Sequence, residues 1–369
     1  MSQVSHDVQV PQVSSAPRSA PREATRRVMV GSVPLGGGAP VVVQSMLNAD
    51  AMSVEANMAQ IDTLVEAGCE VVRIAIPRRE CLDVFQEVCR QSPLPVVADI
   101  HFDPEIAIQA ARRGAAKLRI NPGNIGGLSA CDAVIDAAGE AGIPIRIGVN
   151  AGSLDKEISS RTELTHAQKL ALSAAQYVEY FESRGFRDLV VSAKAHDVNT
   201  TIAVNRLLSE TIPHIPLHIG VTEAGTPFQG MIKSASGLGV LLEEGIGDTL
   251  RISLTGEPAM EVRACWTLLA ALDMRRRGPE LISCPTCGRC QVDLIGLAQQ
   301  VEQAIAGERK PLKVAVMGCV VNGPGEAADA DVGVACGKGS AALFVKGEVI
   351  RKIPEAEVVS ALLAEMEKL

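Results

Sequence analysis

The chain has 369 residues, of which 47% are hydrophobic and only 2% aromatic, so aliphatic side chains must build its core. Its net charge of -8 at pH 7 argues against nucleic acid or an anionic membrane as a partner. No apolar run of about 18 residues occurs, which excludes a membrane-spanning helix and leads us to expect a cytoplasmic protein.

The first 25 residues are rich in Ser, Pro and Arg and lack the apolar segment of a signal peptide. This composition predicts a disordered tail over residues 1–25. Two folded domains are expected to follow, over residues 26–278 and 279–369, because the pattern of elements changes near residue 278.

Eight short β-type runs recur after the tail, with amphipathic helical stretches between them. The runs lie at 41–45, 71–76, 95–101, 117–121, 145–150, 189–194, 217–222 and 250–254. Eight successive βα units are the number that a TIM (β/α)8 barrel requires, so the first domain is predicted to have that α/β fold. A doubly wound open sheet is the alternative, but no G-x-G-x-x-G motif follows an early strand.

Polar residues occupy one face of several predicted strands. Alternate residues of a strand share a face, so Lys117, Arg119 and Asn121 point to one side. The same alternation places further polar residues on one face of two later strands: Arg146, Asn150, Arg251 and Ser253. We therefore predict that this polar face lines the barrel near its C-terminal mouth.

A closed barrel brings together five cations from five strands: Arg73, Arg119, Arg146, Lys194 and Arg251. Buried like charges repel, so this convergence predicts a polyanionic ligand. The fork of an arginine matches phosphate oxygens, which makes a phosphate or diphosphate the natural candidate. The loops at 121–124 and 150–153 are expected to add backbone N–H donors. In the alternative, each arginine pairs with a carboxylate, for which Asp99 and Glu223 are the visible candidates.

Glu223 follows the seventh predicted strand in the segment V-T-E-A-G. There it is placed for proton transfer or for anchoring a substrate hydroxyl, and a salt bridge to a neighbouring arginine is the alternative. His101 and His218 also stand on predicted strands, but a single histidine at such a position is more often a hydrogen-bonded structural residue than a catalyst.

The second domain is predicted to be a small α+β domain, and near its start three cysteines occur at steps of three: Cys284, Cys287 and Cys290. Together with Cys319 they suit a zinc ribbon, an iron–sulfur cluster held by four thiolates, or a cluster held by three. A cluster with three thiolates leaves one iron for substrate, and Glu326 in N-G-P-G-E is then a candidate carboxylate ligand. The spacing alone does not choose among the three.

Long motifs then point to a family. In order along the chain they are V-V-V-Q-S-M, V-A-D-I-H-F, L-R-I-N-P-G-N-I-G, I-P-I-R-I-G-V-N-A-G-S-L, E-G-I-G-D-T-L-R-I-S-L, C-P-T-C-G-R and G-C-V-V-N-G-P-G-E. Through them the sequence resembles the bacterial 4-hydroxy-3-methylbut-2-en-1-yl diphosphate synthases over nearly its whole length after the tail. The resemblance implies a TIM barrel followed by a small domain with one [4Fe-4S] cluster per subunit, in a homodimer.

The resemblance also implies a reaction and its residues. The reaction is the reductive ring opening and dehydration of 2-C-methyl-D-erythritol 2,4-cyclodiphosphate to 4-hydroxy-3-methylbut-2-en-1-yl diphosphate in isoprenoid biosynthesis. The implied cluster ligands are Cys284, Cys287, Cys319 and Glu326, which leaves Cys290 without a ligand role. The five barrel cations, Asn121 and Asn150 are implied to bind the diphosphate, and Glu223 to contact the reacting hydroxyls or handle protons.

Electrons must come from outside, since the sequence has no flavin or nicotinamide fingerprint, and a flavodoxin or ferredoxin is the implied donor. Residues 275–277 are three arginines that form either a docking patch for this acidic donor or a helix end that complements the helix dipole. Two other functions stay open on the residues alone: a zinc-stabilised, non-redox barrel enzyme acting on a phosphate ester, and a non-catalytic electron-transfer protein with a saturated cluster.

Overall fold

The computed structural model describes residues 21–369, apart from residues 151, 153, 155, 320–324 and 326. An antiparallel hairpin comes first, formed by β1 (Val28–Val30) and β2 (Val33–Leu35). Eight parallel strands follow: β3 (Val42–Met46), β4 (Val71–Ala75), β5 (Val96–Asp99), β6 (Lys117–Ile120), β7 (Ile145–Val149), β8 (Leu189–Ala193), β9 (His218–Ile219) and β10 (Thr249–Leu250).

The eight strands close into a barrel. They are hydrogen-bonded in the order β8-β7-β6-β5-β4-β3-β10-β9. A parallel bridge between Val191 and Leu217 joins β8 to the segment that enters β9, so the sheet has no open edge there. The predicted TIM barrel is therefore confirmed. β9 and β10 are shorter than the predicted runs, and the pairing between these two strands ends at Ile219 and Leu250.

Helices follow the barrel strands and cover the outside of the sheet. They are α1 (Val54–Ala67), α2 (Leu82–Gln91), α3 (Pro104–Arg112), α4 (Leu128–Ala141), α5 (Lys156–Ser160), α6 (His166–Ser183), α7 (Val198–Thr211), α8 (Pro227–Glu243) and α9 (Pro258–Ala271). Local sequence fixes their ends: Thr165 and Gln168 form a capping box at the start of α6, and Gly68 ends α1 with a φ of 98°.

The hairpin β1–β2 plugs the N-terminal end of the barrel and was not predicted, because three-residue strands leave almost no pattern in the sequence. Its apolar side chains pack against the first inward residues of four barrel strands: Val28, Val30 and Leu35 against Val42, Val71, Val97 and Val190. This end of the barrel interior is consequently apolar, in contrast to its C-terminal mouth.

The end of the predicted tail is also folded. Pro21–Glu23 form a 3-10 helix, and the Thr25 hydroxyl lies 3.0 Å from a carboxylate oxygen of Asp248. The backbone N–H of Arg22 donates to the carbonyl of Gly245 over 3.0 Å. The disordered tail predicted for residues 1–25 is thus wrong for residues 21–25, which dock on the barrel, and its remainder lies outside the described residues.

The C-terminal region forms a second sheet, in the order β11-β12-β13-β14-β15. Its elements are β11 (Glu280–Ser283), α10 (Leu294–Ile305), β12 (Lys313–Met317), β13 (Val332–Gly337), β14 (Ser340–Val345), β15 (Glu348–Pro354) and α11 (Val358–Met366). β11, β12 and β13 are parallel, whereas β13, β14 and β15 are antiparallel, as in the expected α+β class. β14 and β15 form a hairpin, because Lys346 and Gly347 adopt positive φ angles and reverse the chain. Within the described range, no helix is long and apolar enough to cross a bilayer.

Candidate active site

The structure brings the five predicted cations together at the C-terminal half of the barrel interior. Arg73, Arg119 and Arg146 lie on β4, β6 and β7, while Lys194 and Arg251 directly follow β8 and β10. Burial lowers the pKa of Arg146, and the charges of Arg73 and Arg119 lower it further. Burial also lowers the pKa of Lys194, to which the charges of Arg146 and Arg73 add. The side chains are therefore close enough to repel one another.

Asp99 is the carboxylate at the centre of this group. Its Oδ1 accepts a hydrogen bond from Arg119 over 3.0 Å, and its Oδ2 lies 3.7 Å from Arg73 Nε and 3.4 Å from His101 Nε2. Burial by itself raises the pKa of the carboxyl, but the Arg73 charge, the His101 hydrogen bond and the Arg119 charge outweigh it and hold the pKa below its usual range. Asp99 is thus a fixed anion that orients two arginines.

Glu261 in the first turn of α9 is the partner of Arg251, and the sequence analysis missed it. Its carboxylate accepts from Arg251 NH2 over 3.1 Å and from the backbone N–H of Leu254 over 2.8 Å. The sequence feature that could have indicated Glu261 is its position as an acidic residue near the N-terminus of a helix that follows a barrel strand. A further missed neighbour is Met46, whose Sδ lies 2.7 Å from Arg73 NH2.

Carboxylate pairing accounts for only part of the positive charge. Arg73, Arg119 and Arg251 have acidic partners, as the alternative in the sequence analysis expected. Arg146 and Lys194 have no carboxylate within 4.0 Å in the part of the chain that the structure describes. The mouth consequently keeps an excess of positive charge that suits an anionic ligand.

Two glycines make room for these long side chains. A Cβ on Gly148 would lie 2.6 Å from Arg119 Nε, and one on Gly220 would lie 2.7 Å from Lys194 Nζ. Each glycine therefore permits a cation to lie against the barrel wall, where a larger residue would displace it.

The remaining predicted barrel residues are distributed around the mouth. Asn121 is buried and its Oδ1 accepts from the backbone N–H of Gly123 over 3.2 Å, which orders the N-P-G-N loop. Asn150 and Ser253 are partly buried. Glu223 is exposed, with an unusual φ of 52°, and forms no ion pair with any described residue. Ser153 of the second predicted loop lies outside the described residues.

The four clustered cysteines lie at one end of the second sheet. Gly318 donates its backbone N–H to Cys284 Sγ over 3.3 Å, and Cys319 is the next residue in the chain. Cys287 is exposed. The Cys290 thiol instead lies 3.3 Å from the carbonyl oxygen of Val292, to which it donates.

The arrangement of these thiols bears on whether they can hold a metal centre. No three His, Cys, Asp or Glu side chains of the described residues are placed to hold one metal ion, and Glu326, the predicted carboxylate ligand, lies outside them. The donor chemistry nevertheless fits iron, since Cys284 and Cys287 are free thiols and Cys284 already receives a backbone N–H of the kind that stabilises a ligating thiolate.

The three arginines at 275–277 are engaged within the chain. Arg275 pairs with Glu70 over 2.8 Å, and Arg276 contacts Asp273. Arg277 donates to the carbonyls of Val65 and Glu66 over 3.3 Å. These contacts favour the helix-end role over the docking patch. The helix end that Arg277 contacts is the C-terminus of α1, and not that of the preceding helix α9.

Comparison with known proteins agrees with this two-part organisation. The family model described as the GcpE TIM-barrel domain matches residues 25–266, and the GcpE protein C-terminal domain matches residues 280–368. A relative from Geobacter sulfurreducens, named 4-hydroxy-3-methylbut-2-en-1-yl diphosphate synthase (flavodoxin), is 52% identical over 94% of this chain and 98% of its own. A relative of the same name from Aquifex aeolicus is 46% identical over 94% of this chain and 97% of its own.

Two solved structures of other enzymes match about two thirds of this chain. Dihydropteroate synthases from Stenotrophomonas maltophilia and Yersinia pestis both give a TM-score of 0.51, at 16% and 14% identity. Each match covers 68% of this chain, and respectively 98% and 100% of the other, so the likeness concerns the fold only. Because family models match both parts of the chain and relatives about half identical span nearly all of it, the chain belongs to the GcpE family.

Proposed function

We infer that the chain is a 4-hydroxy-3-methylbut-2-en-1-yl diphosphate synthase. It takes up two electrons, opens the ring of 2-C-methyl-D-erythritol 2,4-cyclodiphosphate and releases water, giving 4-hydroxy-3-methylbut-2-en-1-yl diphosphate for isoprenoid biosynthesis. The observation that carries this inference is the convergence of cations in the barrel mouth, in a chain whose relatives bear that enzyme's name.

The diphosphate binds in the barrel mouth. The groups that grip it are Arg73, Arg119, Asn121, Arg146, Asn150, Lys194, Arg251 and Ser253. Asp99 and Glu261 hold three of the arginines in fixed orientations, so less conformational entropy is lost when the substrate binds. Arg146 and Lys194 supply the charge that no carboxylate within the described residues balances.

The second domain holds one [4Fe-4S] cluster per subunit, through Cys284, Cys287, Cys319 and Glu326. When bound, such a cluster would supply electrons and one iron that is held by the displaceable carboxylate of Glu326 and not by a cysteine. Cys290 keeps its thiol directed at the Val292 carbonyl and remains outside the ligand set. A zinc centre is not favoured, because zinc has no redox chemistry and the relatives are named for flavodoxin.

Glu223 contacts the reacting hydroxyls or handles a proton. Its exposed carboxylate is not consumed by an ion pair with any described residue, and its left-handed backbone fixes the position of the loop after β9. The chain acts in the cytoplasm as a homodimer, with domains at 26–278 and 279–369, and receives electrons from a flavodoxin or ferredoxin.

The test compares anaerobically reconstituted wild type, Cys290→Ser and Glu326→Ala for iron, sulfide and turnover of the cyclodiphosphate. We expect Cys290→Ser to keep about four irons and full turnover, as in a cluster that Cys290 does not ligate. Glu326→Ala is expected to lose activity or cluster integrity. Loss of the cluster in Cys290→Ser would instead indicate four thiolate ligands and would exclude the proposed ligand set.

A further inference from the structure

The segment C-P-T-C-G-R-C contains two overlapping C-x2-C steps, and the proposed cluster uses only the cysteines of the first. The structure closes the second step instead. The backbone N–H of Cys290 donates to the carbonyl of Cys287 over 2.9 Å, across a turn formed by Gly288 and Arg289. Among the described residues, no backbone hydrogen bond joins Cys287 to Cys284. The backbone itself therefore holds Cys290 beside Cys287.

This turn brings the two cysteines to a separation that a disulfide can bridge. The Cα atoms at the two ends of a β-turn lie less than about 7 Å apart. Disulfides join residues whose Cα atoms are roughly 4.4–6.8 Å apart, so the turn is compatible with such a bond. The contact that the Cys290 thiol must give up is weak, because it donates to the Val292 carbonyl over 3.3 Å and a thiol is a poor donor.

The cysteines of this loop differ in exposure. Cys287 is exposed, so a small oxidant reaches its thiol directly, whereas Cys290 is partly buried against Gly318. Cys284 is also partly buried, and its sulfur already accepts the backbone N–H of Gly318 over 3.3 Å. Exposure favours the oxidation of a thiol. In the chain without its cluster, Cys287 is therefore the proposed ligand most open to oxidative damage.

We propose that Cys287 and Cys290 form a reversible disulfide when the cluster is absent, with hydrogen peroxide as the oxidant and Cys290 as the resolving thiol. Peroxide converts the Cys287 thiol to a sulfenic acid and is itself reduced to water. The Cys290 sulfur then attacks the sulfenic sulfur and a second water leaves, so that the two thiols have given two electrons to one peroxide molecule.

The disulfide protects a cluster ligand. Without a second thiol nearby, further peroxide carries a sulfenic acid on to a sulfinic acid, which dithiols do not reduce. The disulfide, in contrast, returns to two thiols on reduction. Cys290 thereby preserves Cys287 for cluster assembly, and this role rests on the ligand set of the proposed function.

The first test locates the disulfide in the full-length chain before reconstitution, after treatment with a small excess of hydrogen peroxide and blocking of the free thiols. Trypsin cleaves after Arg289, so a disulfide between Cys287 and Cys290 joins the peptides 278–289 and 290–309. We expect mass spectrometry to find this linked pair, two hydrogens lighter than the two free peptides, and fragmentation to place the bond at Cys287. A bond from Cys290 to any other cysteine, or sulfinic acid on Cys287 of the wild type, would overturn the proposal.

The second test asks whether the protected chain still assembles its cluster. Wild type, Cys290→Ser and the control Cys89→Ser, on α2 of the barrel, are treated with peroxide, reduced with dithiothreitol and reconstituted with iron and sulfide. We expect wild type and Cys89→Ser to recover about four irons. Cys290→Ser is expected to carry sulfinic acid on Cys287 and to bind about threefold less iron. Equal recovery in all three proteins contradicts the protective role.

The same proteins without peroxide separate this inference from the proposed function. If untreated Cys290→Ser assembles the cluster but the peroxide experiments show no disulfide, only the present inference fails. If untreated Cys290→Ser does not assemble the cluster, Cys290 is a ligand, and both the proposed ligand set and this inference fail. Substrate turnover is not measured in any of these experiments.

Discussion

Gly148 illustrates how a single residue positions the proposed substrate site. The place of its missing Cβ is 2.6 Å from Arg119 Nε and 2.8 Å from Arg119 NH2, closer than real Cβ atoms come to other atoms. The same guanidinium donates to Asp99 over 3.0 Å, so its position is fixed from both sides. The geometry of one arginine that we propose binds phosphate therefore depends on the absence of a side chain on the neighbouring strand.

Gly148→Ala is expected to push the Arg119 guanidinium away from Asp99. We expect KM for the cyclodiphosphate to rise at least tenfold, or about 1.4 kcal/mol of binding free energy, with a smaller change in kcat. Gly139→Ala on α4 is the control, since nothing lies within 4 Å of its Cβ position, and steady-state kinetics compare the two. An unchanged KM in Gly148→Ala would contradict the role of Arg119.

At the scale of elements, β12 delivers Gly318 and Cys319 to the end of the second sheet, beside the loop that follows β11. Gly318 lies against two cysteines of that loop. Its backbone N–H donates to Cys284 Sγ, and a Cβ on Gly318 would lie 2.8 Å from Cys290 Sγ. The two segments can approach this closely only because residue 318 has no side chain.

Gly318→Ala is therefore expected to separate the two segments and to lower the iron and sulfide bound per subunit. Removing the obstructing sulfur should restore them, so the double variant Gly318→Ala, Cys290→Ala is expected to regain most of the iron. Gly288→Ala in the same loop is the control, because its Cβ position has nothing within 4 Å. Failure of the double variant to recover would point to Cys290 as a ligand.

A second element-scale feature is the attachment of residues 21–25 to the barrel through Asp248. This carboxylate accepts from the backbone N–H of Leu217 over 2.7 Å and lies 3.0 Å from the Thr25 hydroxyl. Burial raises its pKa to about 6, and these two hydrogen bonds only partly offset the shift. The folded state thus holds a proton on Asp248 more tightly than the unfolded chain does.

This raised pKa makes Asp248 a source of pH-dependent stability. As pH rises from about 4 to 6, the unfolded state loses this proton first, so the contribution of Asp248 to the free energy of unfolding falls by up to about 3 kcal/mol. We expect Asp248→Asn to lack this dependence, so that the variant gains relative to wild type as pH rises to 7. Urea unfolding at several pH values measures the difference, and a constant difference would refute the assignment.

At the scale of the whole molecule, Arg275 ties the end of the barrel to its beginning. Its guanidinium forms two 2.8 Å contacts with Glu70, donates to the Val41 carbonyl over 2.6 Å and lies 4.7 Å from the ring centre of Trp266. The segment after α9 is thereby fixed to the residue before β3 and to the loop before β4, both far from it in sequence.

Arg275→Ala is expected to lower the free energy of unfolding by about 2 kcal/mol, because it leaves a part-buried carboxylate and a carbonyl without their donor. Arg263→Ala on the exposed face of α9 is the control. The KM for flavodoxin and the turnover rate with a small chemical reductant should both match those of the wild type. A selective rise in that KM, with stability intact, would restore the docking interpretation.

The amino-acid pattern was sufficient to predict the periodic features of the fold. The alternation in the strand from Lys117 to Asn121 marked the polar face, and the eight repeats indicated the barrel, since both patterns record the environment of a residue's own strand or helix. The family motifs, too, are short runs of consecutive residues that can be recognised without knowledge of the fold.

The contacts between residues far apart in sequence became apparent from the folded chain alone. Glu261 lies on a helix and Met46 on another strand, yet both contact the arginines of the mouth. The packing of Val28–Leu35 against four barrel strands depends likewise on barrel closure. The physical reason is that charge pairing and burial depend on neighbours from other strands and helices. A local sequence pattern does not reveal which residues those neighbours are.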